Sequence, residues 1–258
     1  MRIKILTDSA CDLPQELQTK YDISVLPLHI QKGNESFLDM VEITPPDIFE
    51  YSDRTGNLCS TAAVNTAEFA VAFARYAEEH EAVIYVSIGA QFSSCFQNAI
   101  IAAEDYANVY VVDSQNLSSG EALIVLEAAR FAQSGVEAEN IGAILKKGIA
   151  HTDSSFLMSR LDYMKKGGRC TSVAALGANL LQLKPCIEVY NGDMRVWKKF
   201  RGSMERALET YLRERLARYA PTQPFRVILV YRPEDGFSLD GVRSILREHG
   251  RTVELWET

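Results

Sequence analysis

Small hydroxyl and carboxylate side chains recur in this sequence directly after apolar segments. Four clusters of this kind occupy the first half of the chain: Thr7-Asp8-Ser9, Ser60-Thr61, Ser93-Ser94, and Asp113-Ser114 with Ser118-Ser119. Ligands of open α/β sheets bind beyond the carboxyl ends of the strands, so these clusters are expected to form one hydroxyl rim. Hydroxyl groups offer neutral hydrogen bonds, but neither a metal ligand set nor a cationic fork. The rim therefore suits a carboxylate, a carbonyl or a phosphate.

The elements that would position the hydroxyl rim alternate between strand and helix. Apolar β-rich segments predict strands over residues 3–6, 23–30, 82–87 and 109–112. Helical periodicity and start signals predict helices that begin at Asp12-Leu13-Pro14, run from Thr44 to about Tyr51, and cover residues 66–79, 94–105 and 121–133. Residues 53–59 are predicted to be a loop. This alternation is typical of a mostly parallel sheet with flanking helices.

After about residue 150 the pattern changes. Asn191-Gly192-Asp193 lies between two β-rich segments, residues 186–190 and 194–200, and predicts a hairpin. Further helices are predicted over residues 160–166, 172–181 and 204–219, and a last strand over residues 226–231. We therefore predict an α/β fold with a mostly parallel N-terminal domain over residues 1–150 and a smaller α+β domain over residues 151–258.

Composition narrows the class of protein. A net charge of −7 over 258 residues argues against nucleic acid as the main partner, because such binding requires cations that neutralise phosphates. The cysteines are odd in number, widely spaced and without a Cys-x-x-Cys pair, which favours reduced thiols in a cytoplasmic protein over disulfides or a zinc site. Asp8 and Asp12 interrupt any signal-peptide core, and no apolar stretch is long enough to span a bilayer. We expect a cytoplasmic protein that is not an integral membrane protein.

The sequence contains no recognisable catalytic constellation. A serine follows Asp113, but no G-x-S-x-G elbow is present, and none of the four histidines stands in a triad context: His29, His80, His151 and His249. Gly167-Gly168 lacks the spacing of a phosphate-binding loop. We therefore predict no catalytic residue, no metal site and no cofactor.

Basic residues concentrate around the double glycine. Lys165, Lys166 and Arg169 flank it, and further cations follow at Lys184, Lys198, Lys199 and Arg201. In an acidic protein such a concentration could form a docking face for an acidic partner or a phosphate. An ordinary solvated surface with ion pairs explains it equally well.

A series of motifs, taken in order and with its spacing, resembles one known family. The motifs are Thr7-Asp8-Ser9 with Asp12-Leu13-Pro14, residues 61–69, Phe92-Ser93 with Phe96-Gln97-Asn98-Ala99, Val112-Asp113-Ser114, and Lys166-Gly167-Gly168-Arg169 through Leu183-Lys184-Pro185 to Arg201-Gly202. Over residues 3 to about 202 the chain resembles the DegV family of bacterial cytosolic fatty-acid-binding proteins. Some members present the acyl chain to a fatty acid kinase.

The resemblance implies a ligand, a site and a partner. It implies a fatty acid in a tunnel between the two domains, with its carboxyl group held by Thr61 and Ser93. It also implies a fatty acid kinase catalytic subunit as partner, for which the candidate docking residues are Arg169, Arg201, Lys165 and Lys166. The predicted function is therefore to bind a long-chain fatty acid and to sequester it or present it to the kinase.

Other interpretations stay open at this point. Thr61 and Ser93 could each cap the helix that follows, a role compatible with anion binding. The hydroxyl rim and the basic residues could instead form the site of a phosphotransferase or hydrolase acting on a small oxygen-rich substrate. A third alternative is a scaffold that binds a partner but no lipid.

The sequence departs from the family at identifiable positions. Ala62 stands where the family usually has a serine, and Asn65 replaces a later serine. Members of the family commonly close with a strand and a glycine- and proline-rich tail, whose histidine approaches the lipid carboxyl group. The sequence ends at Trp256-Glu257-Thr258, and His249 lacks that context, so the role of the tail histidine is assigned to no residue.

Overall fold

The structure is a computed structural model that describes residues 2–159, 161–171, 183–220, 222–231 and 237–257. The chain divides into two compact units. The first comprises Met1–Asp153 with Asn191–Asp193, and the second comprises Ser154–Tyr190 with Met194–Thr258. None of the helices in these described ranges is long and apolar enough to cross a membrane.

The first unit is built on a four-stranded parallel sheet. Its strands are β1 (Ile3–Asp8), β2 (Ile23–Leu26), β6 (Ala82–Ser87) and β7 (Val109–Asp113), in the order β2-β1-β6-β7. Every residue of β1 and β6 is buried, as expected for central strands of a parallel sheet that is covered on both faces. The predicted α/β class with a mostly parallel sheet is confirmed.

Helices precede and follow these strands along the chain. They are α1 (Gln15–Tyr21), α2 (Pro45–Thr55), α3 (Thr66–Glu79), α4 (Cys95–Ala103), α5 (Ser118–Gln133) and α6 (Ala138–Ile149). Helix α5 packs against β1 and β6, and α4 packs against β6 and β7. Apolar residues of α5 are almost fully buried, which explains why its sequence is apolar on most faces.

The strand order reverses direction between β1 and β6. The chain runs from β1 to β2 on one side of β1 and later returns to place β6 on the other side. The carboxyl ends of β1 and β6 therefore flank a topological switch point, where ligands of open α/β sheets bind.

The single strand predicted over residues 23–30 is wrong, because the structure divides this segment between two sheets. That segment forms β2 and then β3 (His29–Lys32), which pairs with β4 (Glu35–Leu38) and β5 (Ser60–Ala62). Pro27 has no backbone N–H, and the N–H of Leu28 donates to the Ser9 side chain at 3.0 Å instead of to a strand. The chain consequently leaves the parallel sheet at this point.

Helix α2 also differs from its prediction. It begins after Thr44 with a capping box completed by Asp47, as the sequence indicates, but it continues through Thr55 instead of ending near Tyr51. Gly56, at a φ of 68°, ends it in the left-handed conformation that glycine adopts without strain. The predicted loop over residues 53–59 is therefore wrong at its start.

The second unit contains a three-stranded sheet in the order β10-β9-β8. Its strands are β8 (Ser155–Leu157), β9 (Leu183–Tyr190) and β10 (Asp193–Arg201). The predicted hairpin is confirmed between β9 and β10. Its two turn residues, Asn191 and Gly192, have φ values of 51° and 77°, as a type I′ turn requires.

The remaining elements of the second unit are α7 (Asp162–Gly167), α8 (Met204–Leu216), β11 (Ile228–Tyr231), α9 (Leu239–Glu248) and β12 (Glu254–Glu257). Strands β11 and β12 pair in parallel. Helices α8 and α9 pack together and bury Leu208, Tyr211 and Leu246. The sequence did not predict α6, α9 or β12, and the helix predicted over residues 172–181 lies outside the described residues.

Candidate functional site

Ser93 belongs to a loop over residues 88–94 that joins β6 to α4, hereafter the Ser93 loop. The loop leaves the carboxyl end of β6, beside the switch point. Ile88 and Phe92 are buried, Ala90 is exposed, and Ser93 is half-buried. Apolar anchors thus hold the loop against the unit while its hydroxyl side chain keeps access to solvent.

Asp8, at the end of β1, holds the first residue of the Ser93 loop. Its Oδ2 accepts hydrogen bonds from the N–H of Ile88 at 2.9 Å and from the hydroxyl of Tyr85 at 2.7 Å. Its Oδ1 accepts from the N–H of Ala10 at 3.2 Å. The carboxyl group is fully buried, and burial raises its pKa to about 6 even though these three donors favour the charged form.

The turn after β7 holds the same loop from the other side. Oδ1 of Asp113 accepts from the N–H of Ala90 at 3.0 Å and from the N–H of Gln115 at 2.9 Å. The N–H of Gly89 donates to the carbonyl oxygen of Asn116 at 2.7 Å. A Cβ at Gly89 would lie 3.1 Å from the backbone nitrogen of Asn116, so glycine allows the two loops to approach this closely.

The hydroxyl group of Ser93 makes only weak hydrogen bonds with Cys95. It accepts from the N–H of Cys95 at 3.3 Å and donates to the thiol sulfur of Cys95 at 3.2 Å. Ser93 therefore also helps to cap α4, as one of the open interpretations held. Burial raises the pKa of the Cys95 thiol to about 11, which keeps it neutral and a poor nucleophile at pH 7.

Thr61 occupies a different position from the one predicted. It lies in β5, opposite Ile30 of β3, and its side chain is exposed. The cluster Ser60-Thr61 consequently does not follow a strand of the parallel sheet, and this part of the predicted hydroxyl rim is wrong. Thr61 is also not the cap of α3, because Asn65 accepts from the N–H of Glu68 at 3.0 Å and completes a capping box.

The segment after Thr61 nevertheless reaches the helix that follows Ser93. The side-chain amide of Asn98 in α4 donates to the carbonyl oxygen of Val64 at 2.8 Å. Helices α3 and α4 pack against each other. The segment that follows Thr61 in the sequence and the helix that follows Ser93 are therefore in contact.

A second acidic side chain is buried beside Asp8. Glu121 in α5 is fully buried, and its Oε1 accepts from the hydroxyl of Thr7 at 3.0 Å. Its Oε2 has no hydrogen-bond partner among the described residues. Burial first, and then the charge of Asp8, raise the pKa of Glu121 well above its ordinary value, so the site favours the neutral form of its carboxyl group.

The predicted basic docking residues all lie in the second unit. Lys165 and Lys166 form the last turn of α7, and Arg169 follows it; all three are exposed. Arg201, also exposed, ends β10. The neighbouring Lys198 is instead engaged by Glu214 at 2.6 Å, as the alternative of ordinary ion pairs predicts for it.

Comparison with known proteins places this arrangement in a family. The family model of the DegV family matches residues 2–256. The chain belongs to the DegV family. A DegV domain-containing protein of Clostridium acetobutylicum is 35% identical over 208 residues, which cover 80% of this chain and 75% of that protein.

Solved structures of DegV proteins share the fold. A fatty-acid-binding DegV family protein from Thermus thermophilus superposes with a TM-score of 0.82 at 27% identity, covering 100% of this chain and 92% of that one. A stearic-acid-binding protein from Eubacterium ventriosum superposes with a TM-score of 0.81 at 26% identity, covering 96% and 86%. DegV family proteins of this architecture therefore bind fatty acids.

Sequence reasoning missed how the Ser93 loop is held in this DegV protein. It placed Asp8 and Asp113 in clusters that follow strands but did not identify the backbone amides that they bind. Glu121 was taken as the first residue of an apolar helix, whereas α5 begins at Ser118 and buries that side chain completely. An acidic residue directly before the strongly apolar segment over residues 122–126 was the available signal.

Proposed function

We propose that this protein binds one long-chain fatty acid, with its carboxylate at Ser93 and Thr61, and presents the acyl chain to a fatty acid kinase. The observation that carries the proposal is the Ser93 hydroxyl on an anchored loop beside the switch point of the sheet. Fatty acid binding by DegV proteins of the same fold supports the choice of ligand.

The present hydrogen bond of the Ser93 hydroxyl, to the Cys95 thiol, favours its replacement by a bond to the ligand carboxylate. A thiol sulfur is a weak acceptor, so the Ser93 hydroxyl gains when a carboxylate oxygen replaces Cys95. The exposed hydroxyl of Thr61 supplies a second neutral donor. Neither residue brings a charge, and the affinity would come mainly from the acyl chain at about 0.8 kcal/mol for each buried CH₂ group.

The wider arrangement forms part of the same proposal. It includes an N-terminal domain over residues 1–150 and a C-terminal domain over residues 151–258. The basic residues Lys165, Lys166, Arg169 and Arg201 would dock the kinase, which supplies ATP and transfers the phosphoryl group. The cysteines are thiols, and Cys11, Cys95, Cys170 and Cys186 are buried, which supports a reducing, cytoplasmic location.

Native mass spectrometry of freshly purified protein tests the ligand class. We expect a mass increment of one fatty acid per chain, which disappears on denaturation and is recovered in an organic extract. Protein that purifies empty and also takes up no added oleate would refute lipid binding and favour the scaffold alternative.

A second measurement tests presentation. Protein loaded with oleate should support acyl phosphate formation only when a fatty acid kinase catalytic subunit and ATP are both added. Turnover of ATP by the protein alone would contradict the carrier role and favour the phosphotransferase alternative.

A further inference from the structure

Two carboxylates, those of Asp8 and Asp113, hold the Ser93 loop by its backbone amides. Asp8 binds the N–H of Ile88 and Asp113 binds the N–H of Ala90, so one side chain holds the loop from β1 and the other from β7. Both strands belong to the same parallel sheet, on opposite sides of β6. The loop that follows β6 and carries Ser93 is therefore hydrogen-bonded to residues at the ends of both neighbouring strands, β1 and β7.

We propose that Asp8 and Asp113 are positioning residues, which set the place of the Ser93 hydroxyl for carboxylate recognition without touching the ligand. This inference rests on the proposed function. Ser93 lies three residues after Ala90, and the turn between them is closed by the hydrogen bond from the N–H of Phe92 to the carbonyl oxygen of Gly89 at 2.8 Å. A shift at Ile88 or Ala90 is therefore transmitted to Ser93 through a single tight turn.

The two carboxylates use their oxygens differently, and this difference gives a matched test. Asp113 accepts the hydrogen bonds from Ala90 and Gln115 on the same oxygen, Oδ1, so an asparagine oxygen can take over the role. Asp8 accepts on both oxygens from three donors. An asparagine at position 8 must direct its NH₂ group at one of these donors, because an amide has only one acceptor oxygen.

The binding test uses oleate as probe and isothermal titration calorimetry as readout. Asp113→Ala is expected to weaken oleate binding on the order of tenfold, the loss that corresponds to roughly 1.4 kcal/mol. Asp113→Asn should remain within about twofold of the parent protein, whereas Asp8→Asn should weaken binding like Asp113→Ala. Because Asp113 is only half-buried, its variants carry the test if Asp8→Asn does not fold.

A double-mutant cycle separates positioning from stability. If Asp113 acts through Ser93, Asp113→Ala should cause little further loss of oleate affinity in a Ser93→Ala background. A merely structural role would lower the free energy of unfolding of both backgrounds without this coupling. Full additivity, or an Asp113→Asn variant as weak as Asp113→Ala, overturns the positioning role.

The outcomes also distinguish this inference from the proposed function. Unchanged affinity in Ser93→Ala alone refutes the Ser93 contact, and the positioning role with it. Weakened affinity in Ser93→Ala with normal affinity in Asp113→Ala refutes the positioning role and leaves the ligand contact intact.

Discussion

The hydroxyl group of Tyr85 donates to Oδ2 of Asp8 at 2.7 Å, and both side chains are completely buried. Tyr85 also packs edge-on against Phe69, with ring centroids 4.9 Å apart. The carboxyl group of Asp8 is therefore anchored in an aromatic core rather than at a solvated strand end. Hydrogen bonding favours its charged form, but burial dominates and raises its pKa to about 6.

The stability of the first unit should consequently decrease as the pH rises through the titration of Asp8. In the unfolded chain its pKa is near 3.8, so between pH 4 and 6 the folded state binds more protons than the unfolded state. The favourable contribution is fully present below pH 3.8 and is lost as the pH rises through about 6. The difference between the two pKa values corresponds to roughly 3 kcal/mol.

Urea denaturation of the parent protein and of Asp8→Asn across pH 4 to 8 measures this dependence. The unfolding free energy of the parent should fall relative to that of the variant as the pH increases. A constant difference between the two proteins would contradict a raised pKa at Asp8.

Replacement of Glu121 by glutamine should hardly change the stability of the protein at pH 7. Because burial favours the neutral form of Glu121, Glu121→Gln preserves the volume and charge of that form and should change the unfolding free energy by less than about 1 kcal/mol. Glu121→Ala, the matched control, removes buried atoms and should cost about 2 kcal/mol or more. Equal and large losses in both variants would indicate that the carboxyl group itself is required.

Removal of both proposed carboxylate ligands should weaken oleate binding while preserving the fold. Thr61→Ala with Ser93→Ala should cost on the order of 1 to 3 kcal/mol of binding free energy, because two hydrogen bonds to a charged group are lost. Calorimetric titration with oleate and a circular dichroism spectrum of each variant provide the two readouts. An unchanged dissociation constant would reject both positions.

Charge reversal on the proposed docking residues should separate binding from presentation. Arg169→Glu with Arg201→Glu should reduce kinase-dependent acyl phosphate formation by about tenfold or more, because like charges then face the partner. Oleate uptake should be unaffected. Lys146→Glu with Lys147→Glu, a pair of equal charge on exposed positions of α6, serves as the control. Equal loss in both pairs would point to a general charge effect.

The sequence predicted the elements that have a strong local pattern. Helix α3 and strand β6 occupy their predicted ranges, 66–79 and 82–87, because an amphipathic stripe and a wholly apolar segment have few alternatives. The Asn191-Gly192 turn was equally predictable, since few dipeptides adopt two positive φ values.

Elements that depend on distant partners were not predictable in the same way. The side chains of β5 are exposed, and the strand exists because it pairs with β3, with Ser60 opposite Gln31. The predicted place of Thr61 after a strand of the parallel sheet was therefore wrong, whereas Ser93 does lie in the loop that follows such a strand. The hydrogen bonds of Asp8 and Asp113 to Ile88 and Ala90 are set by sheet order, which no local pattern encodes.

Four backbone amides of the Ser93 loop, those of Ile88, Gly89, Ala90 and Phe92, are already hydrogen-bonded within the first unit. Fixing the backbone of one residue costs roughly 1 to 2 kcal/mol of conformational entropy. In this loop the entropy is lost when the protein folds, before any ligand binds. A ligand that arrives at this loop does not have to order it again. Tight binding would then require only a modest number of polar contacts.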